Sequence, residues 1–389
     1  MKLLVVASRF PYPIEKGDKL RLCHQIKILS KHFDIYLFAC NTSRVLESHV
    51  EHIQAYCKEI KIHHLDAKDL VKNISAALIS GIPFQVGMFS NIKIRKEIGD
   101  FAELHEVDHV YTQLIRMAEN TKDLPYPKTL DYMDAFGFGM HKRASIGGLF
   151  RKMMYKLEGN RVKKYEKEVF PDFDHHTVIT ANDRERLELD GKIEVVGNGV
   201  DADFFTNTGS IDSYDLVFVG NMGYLPNIDA AKVLVNEILV QLNAKGKIFK
   251  LLIAGARPTR EVIDLAENEH VTVGGWMQDI RQAYKGGRIF VAPIFQSIGQ
   301  QNKILEAMSM EIPCIVNKSV AEGLNLEDRI HCLVAESPEE FVEKILELEN
   351  NVELFATIIV SAKELVRNSF SWEAKTEPLI QLIGGNTIA

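Results

Sequence analysis

The amino-acid sequence predicts two doubly wound α/β domains, one after the other, from three observations. Short apolar runs recur at 3–7, 34–39, 59–65, 109–113, 128–132 and 176–180, and again at 215–219, 249–254, 270–273, 288–292, 314–316 and 332–334. Segments of helix length separate them. A polar stretch with turn residues and no helical period, around 200–213, divides the two series. The runs are continuous rather than alternating, so both faces of each strand are covered, and helices between strands are crossovers; together these specify parallel sheets. The domains are expected at 1–200 and 201–370. Ligands of such sheets bind outside the carboxyl ends of the strands, so the strand-to-helix loops of two facing domains would wall a cleft.

Composition agrees with this reading. A chain of 389 residues with 46% hydrophobic and 25% charged residues can bury two ordinary cores. The longest apolar stretches fall far short of the roughly 20 residues needed to span a bilayer. Met1-Lys2 leads straight into a strand-like run with no cleavage site of a signal peptide, so a cytoplasmic location is expected. Cys23, Cys40, Cys57, Cys314 and Cys332 are scattered and never form a CxxC pair, which fits reduced structural thiols and no metal site.

The net charge of −7 conceals an asymmetry. Residues 142–167 hold nine Lys or Arg against Glu158 and Glu166, a segment of net +7 that leaves the remainder at −14. Within it Phe150, Met153, Met154 and Leu157 fall on one face at helical spacing. Such a pattern serves a helix attached to an anionic membrane surface, and equally a helix packed on the core with a solvated basic face. Nothing in the chain calls for a nucleic-acid partner.

Familiar ligand motifs fail on context. Gly197-x-Gly199-x-x-Ala202 follows a strand and matches a dinucleotide fingerprint in form, yet 203–209 cannot continue as the helix that the motif must open. No GxxxxGK(S/T) or HExxH occurs. Asp201-Ala202-Asp203 has the form of a metal-binding DxD, but it lies in the interdomain stretch and reads as a turn.

The richest loop is 295–310, which passes from a strand through Gly299, Gln300, Gln301 and Asn302 into a helix bearing Lys303 and Glu306. A helix N-terminus offers free N–H groups and partial positive charge, Gly299 permits close approach, and Lys303 adds a full charge, a combination suited to a diphosphate. Glu306, one turn on, can accept hydrogen bonds from two ribose hydroxyls. On spacing alone an exposed Lys/Glu pair explains the same residues.

With these segments in hand, the chain resembles the family 4 glycosyltransferases, in particular sugar transferases of bacterial exopolysaccharide assembly. The resemblance runs over nearly the whole chain. It is carried by Arg9-Phe10-Pro11-Tyr12-Pro13 with Lys16-Gly17-Asp18-Lys19-x-Arg21; Leu130-Asp131-Tyr132-Met133-Asp134-Ala135-Phe136; Gly197-Asn198-Gly199-Val200-Asp201; Phe218-Val219-Gly220-Asn221-Met222; Gly275-Trp276; Asn302-Lys303-Ile304-Leu305-Glu306-Ala307-Met308; and Ser371-Trp372.

The resemblance implies the GT-B fold, two Rossmann-like domains facing across a cleft, with 371–389 returning to the first domain and Trp372 as an anchor. It implies a nucleotide-sugar donor site at Gly220, Asn221, Arg257, Gly275, Trp276, Gly299, Gln300, Gln301, Asn302, Lys303 and Glu306. It implies an acceptor loop at Gly17, Asp18, Lys19 and Arg21, where Asp18 is expected to cap the next helix and Arg21 to contact phosphate. Asp134 or Asp131 would position a saccharide or lipid-linked acceptor in a retaining reaction without metal or cofactor, near the inner membrane face. The chain departs from the family pattern at Ile298, where a Glu is usual, at Asn221 and Pro226, where Arg and Lys are usual, and at Met133 in place of a His. A GT-B sugar-nucleotide epimerase and a catalytically silent nucleotide-binding subunit are the competing readings.

Overall fold

The computed structural model describes residues 1–143, 149–206, 213–295 and 300–385, with side chains up to His141 and from Arg151 in the helices that flank 144–148. The chain divides into two compact units, Met1–Gly197 with Lys375–Ala389, and Asn198–Ala374. The helix Trp372–Gly384 spans the boundary between the two groups of residues.

Among the described residues the first unit carries a seven-stranded parallel sheet: β1 (Lys2–Ala7), β2 (Asp34–Asn41), β3 (Glu59–His64), β4 (His109–Gln113), β5 (Lys128–Met133), β6 (His175–Val178) and β7 (Glu194–Val195), in the order β3-β2-β1-β4-β5-β6-β7. The second carries a six-stranded sheet: β8 (Tyr214–Val219), β9 (Leu251–Ala254), β10 (Val271–Gly275), β11 (Gly287–Ala292), β12 (Cys314–Val316) and β13 (Leu333–Val334), in the order β10-β9-β8-β11-β12-β13. The twelve expected strands are present, each within two residues of its expected ends. β7 was not foreseen, because Glu194-Val195 is a half-buried two-residue strand with no apolar run.

Each unit opens on a strand that ends up mid-sheet, paired on both edges. β1 lies between β2 and β4, with Leu4 opposite Tyr36 on one side and Val110 on the other, and Leu3 through Ala7 are fully buried. β8 lies between β9 and β11, and Leu216, Val217 and Phe218 are fully buried. Crossover helices cover the faces with apolar stripes: Leu22, Ile26 and Leu29 of helix Gly17–Leu29 sit at i, i+4 and i+7 and are buried. Burial of each such side chain contributes roughly 1.5–3 kcal/mol against chain entropy.

All five cysteines are buried free thiols. Burial pushes Cys40, Cys57 and Cys332 up to about 12, so these thiols stay protonated and unreactive near neutral pH. No helix among the described residues is long and apolar enough to cross a membrane.

The second sheet's loops are packed to contact. Gly255 follows β9 at φ +135, and a Cβ built there would lie 1.7 Å from the carbonyl oxygen of Gly220, just beyond β8. Gly246 has φ +73 but nothing within 4 Å of a built Cβ. Gly255→Ala should therefore cost on the order of 3 kcal/mol or more through strain and overpacking, and Gly246→Ala about 1 kcal/mol from its backbone conformation alone. Thermal unfolding midpoints of the two variants check this; equal shifts would mean that the approach of the two loops is not tight.

Candidate functional site

In the second unit the strand order reverses between β8 and β11, so the loops after these strands diverge and leave a crevice at their carboxyl ends. Gly220 and Asn221 follow β8, Gly255 to Arg257 follow β9, Gly275 and Trp276 close β10, and helix Asn302–Ser309 comes after β11. The loops are tied by backbone hydrogen bonds: Gly220 N donates to Ala254 O at 3.0 Å, Met222 N to Ala256 O at 2.8 Å, and Gly255 N to Gly275 O at 2.7 Å.

Lys303, in the first turn of helix Asn302–Ser309, sits at the floor of this crevice. Its Nζ donates to Asn227 Oδ1 and lies 5.4 Å from the centre of the Phe218 ring. A Cβ on Gly220 would lie 2.9 Å from Asn227 Nδ2 and 3.3 Å from that Nζ, so glycine allows the close approach of the loop to the Asn227–Lys303 pair. Burial pushes the amine down to about 8, opposed by the charge of Glu306. Burial in turn raises the Glu306 carboxyl above its usual range, opposed by the Tyr284 hydroxyl, which donates to Glu306 Oε2 at 2.7 Å, and by Lys303. The pair is not an exposed surface salt bridge.

The helix begins at Gln301 with no side-chain cap and no acidic residue in its first turn. The N–H of Ile304 donates to Gln301 O at 3.0 Å, and the positive end of the helix dipole lies at this turn. The Oδ1 of Asn302 is buried without a hydrogen-bond partner. Gln301 is buried. Gln300 is committed elsewhere: its amide donates to Asn198 O at 2.7 Å and accepts from Asn198 N at 3.2 Å, which fastens this loop to the start of the unit. Gly299 and Ile298 lie outside the described residues.

Arg257 is exposed and holds a left-handed backbone at φ +58. Gly275 is left-handed at φ +62, and Trp276 is 70% exposed. Asn221 is exposed, but both of its oxygens serve the loop, Oδ1 accepting from Gly223 N at 3.0 Å and the carbonyl from Asn227 Nδ2 at 2.9 Å. Sequence reasoning missed Asn227 and Tyr284, the two partners that position Lys303 and Glu306. Neither lies at motif spacing, and only the sheet brings them there. Asp201 heads a short 3₁₀ turn, its Oδ1 accepting from Asp203 N at 3.0 Å.

The first unit corrects several expectations. Arg21 and Asp131 are both fully buried and bind each other, Arg21 Nε to Asp131 Oδ2 at 2.8 Å and Nη2 to Oδ1 at 3.3 Å. Thr177 Oγ1 donates to Asp131 Oδ1 at 2.8 Å, the Tyr111 hydroxyl lies 3.0 Å from Oδ2, and Arg21 Nη1 donates to Gly197 O at 3.3 Å. Their groups are consumed by the core, so the expected contacts of Arg21 with phosphate and of Asp131 with an acceptor do not fit their placement. Asp18 does not cap helix Gly17–Leu29, whose N-cap is Lys16 without a side-chain bond; it accepts instead from Arg9 Nη1 at 2.5 Å.

Asp134 is exposed just past β5, after Met133 at φ +64. Gly17 is exposed, and burial lowers the Lys19 amine. Beneath the loop, Glu166 accepts from Gly137 N at 3.1 Å, and burial pushes its carboxyl up to about 7.

Comparison with known proteins settles the architecture. Residues 213–351 match the family model of glycosyl transferases group 1, so that domain occupies most of the second unit. A glycosyltransferase from Rickettsia africae superposes with a TM-score of 0.67 over 99% of both chains at 14% identity. Anabaena Alr3699/HepE in complex with UDP gives 0.67 over 99% of this chain and 100% of that one, also at 14% identity. The fold is GT-B. A further relative of GT-B length, the uncharacterized 44.6 kDa protein in the cps region of Klebsiella pneumoniae, is 20% identical over 387 residues, 95% of each chain.

The buried ion pair of the first GT-B unit is open to test. Asp131→Asn or Arg21→Met alone should destabilise by roughly 3–5 kcal/mol, since each strands a buried partner. Arg21→Met combined with Asp131→Leu should recover part of that loss. Chemical denaturation of the three variants reads it out, and additive losses in the double variant would show that the two groups are not coupled.

Proposed function

We propose that this protein is a retaining family 4 glycosyltransferase, moving a sugar from a nucleoside-diphosphate sugar to a saccharide or lipid-linked saccharide in cell-surface polysaccharide assembly. The observation that carries the reading is Lys303, a half-buried amine held by the neutral side chain of Asn227 in the first turn of a helix with no side-chain cap, close against Gly220. A half-buried cation with no carboxylate in hydrogen-bond contact is costly unless an anion arrives to pair with it. The group 1 glycosyltransferase match over this unit and the UDP held by the Anabaena neighbour support a nucleoside diphosphate as that anion. The cps location of the Klebsiella relative supports the polysaccharide setting.

In this reading Lys303 and the helix N-terminus take up charge as the bond between the anomeric carbon and the phosphate oxygen breaks. Glu306 holds the ribose hydroxyls once Tyr284 shares it. The acceptor hydroxyl forms the new bond on the face that the phosphate leaves, and its proton passes to a phosphate oxygen, so no strong protein base is needed. Asp134 positions the acceptor. Arg257, exposed on its left-handed turn, adds a second cation for the diphosphate.

Titration of the protein with UDP-, GDP- and ADP-sugars, followed by thermal stability, tests the donor site, since a ligand of the folded state raises the midpoint. One nucleotide should shift it selectively. Lys303→Ala should weaken binding on the order of 10- to 100-fold, the worth of a charge-assisted hydrogen bond. The absence of a shift with every donor would sink this placement. Binding without turnover on any acceptor would favour a silent subunit, and sugar conversion without acceptor an epimerase.

Acidity gives a second handle. Lys303 titrates at about 8 in the free protein, and a bound anion holds it protonated to higher pH. Nucleotide affinity should therefore be flat below that value and fall by up to about tenfold per pH unit above it. Lys303→Met should abolish the slope, which isothermal titration across the range would detect.

A further inference from the structure

The two acids of the basic segment 142–167, Glu158 and Glu166, are both buried, although the apolar stripe on the same helix, Leu149–Val169, is not. Met153, Met154 and Leu157 are 65%, 52% and 54% exposed, so the expectation that this face packs on the core is wrong for these three residues. Phe150 lies outside the described side chains. Each acid reaches from its own helix to the start of another. Glu158 Oε1 accepts from Gln85 N at 3.0 Å in helix Phe84–Gly87, and Glu166 Oε1 accepts from Gly137 N at 3.1 Å in helix Phe136–Arg143. The first N–H groups of a helix have no partner within it and carry partial positive charge, so a carboxylate brought from elsewhere serves as a cap.

Glu166 differs from Glu158 in the loop it serves. Helix Phe136–Arg143 begins two residues after Asp134, where the chain has just left β5. A Cβ on Gly137 would lie 2.9 Å from Glu166 Oε2 and 3.0 Å from Lys163 N, so the first turn of this helix rests directly on the carboxylate and on the backbone beneath it. Burial raises the Glu166 carboxyl, the N–H groups of Gly137 and Phe136 lower it, the charge of Asp134 raises it and that of Lys163 lowers it. Lys163 is itself paired with Glu188 at 2.8 Å. From β5 the Tyr132 hydroxyl donates to Glu166 O at 3.3 Å, and burial keeps that phenol protonated. Arg116 stands over the Phe136 ring at 5.1 Å, and His141 packs at Gly159, two turns away along the long helix.

We propose that Glu166 is a positioning residue for Asp134. As a carboxylate it grips the first turn of helix Phe136–Arg143 and repels the Asp134 carboxylate toward solvent; as a neutral acid it accepts more weakly and repels nothing. Hydrogen bonds to an ionised acceptor are roughly twice as strong as neutral ones, so the two forms give a tight and a relaxed setting of the loop. With the carboxyl pushed up to about 7, both settings are populated near neutrality. The consequence for the reaction rests on the acceptor role given to Asp134 in the proposed function, whereas the setting of the loop is a property of the protein without substrates.

The test is hydrogen exchange of peptides spanning 134–141 in the full-length protein across the neutral range, corrected for the intrinsic pH dependence of exchange. Protection should rise with pH, on the order of tenfold, in one transition near 7. Glu166→Gln keeps the shape and an acceptor oxygen without the charge, and should hold the low-pH level throughout. Asp134→Asn, at an exposed position that the fold tolerates, should keep the transition and move its midpoint down, because a like charge has been removed. In turnover the acceptor KM should carry the same transition.

Protection that is flat across this range, a transition that survives in Glu166→Gln, or a midpoint unmoved by Asp134→Asn would overturn the proposal. So would an acceptor KM independent of pH in the active enzyme. The exchange readings need no nucleotide, so a donor site that failed its titration would leave them intact and the two ideas fail separately.

Discussion

A parallel strand can be followed by another only through a crossover, and right-handed crossovers cover one face when the chain winds one way and the other face when it winds back. Both sheets start with a strand that becomes central, β1 and β8, and wind first to one side and then to the other. The loops after β8 and β11 must therefore part. Everything at the candidate site of the second unit follows from that parting: the crevice, the helix N-terminus that enters it from β11, and the glycines that let the loops of β8 and β9 touch. Gly255 against Gly220 is the point where the constraint is tightest, at 1.7 Å for a built Cβ.

Each unit holds a cation near the carboxyl ends of its central strands, Arg21 fully buried and Lys303 half-buried, and the two cases differ in what surrounds the charge. Arg21 has a carboxylate with two-point contact, reinforced by Thr177 and Tyr111, so its charge is answered within the protein. Lys303 has a neutral amide and an aromatic face, while Glu306, the nearest acid along its helix, is bonded to Tyr284. Burial lowers the Lys303 amine and raises the Glu306 carboxyl, so neither group is at ease in its ionised form. One pair holds a core together; the other is the one to which the proposed function assigns an anion. The identity of the residues does not distinguish them, whereas their partners do.

This contrast also marks what the sequence could reveal. The strands were legible because continuous apolar runs leave little choice of environment, and β7 was missed because two residues carry no such signal. Lys303 and Glu306 were legible as a pair one turn apart, but their exposed-salt-bridge alternative could be discarded only when Asn227 and Tyr284 came into view. Arg21 and Asp131 were read as ligand contacts because 110 positions separate them, and nothing local tells a polar residue that its partner lies across a sheet. Asp18 looked like a helix cap for a similar reason, since its partner Arg9 lies in the preceding loop. Met153, Met154 and Leu157 formed a clear stripe, yet periodicity records only that a face is apolar and not what covers it.

The departures from the family pattern acquire a physical sense in this setting. Pro226 occupies the first turn of helix Leu225–Val233, where its missing N–H would have had no helical partner. Asn221 spends both oxygens on the turn, one of them holding the amide of Asn227, whose own oxygen holds Lys303. The two positions thus exchange mobile charge for a rigid loop that aims a single amine. Under the proposed function that amine, together with roughly half a unit charge at the helix N-terminus, would fall short of neutralising a diphosphate. In the proposed donor site Arg257, exposed on a left-handed turn after β9, is the further cation. A site organised in this way depends on fewer positive charges, so the loss of any one should weigh more heavily than in a site with charge to spare.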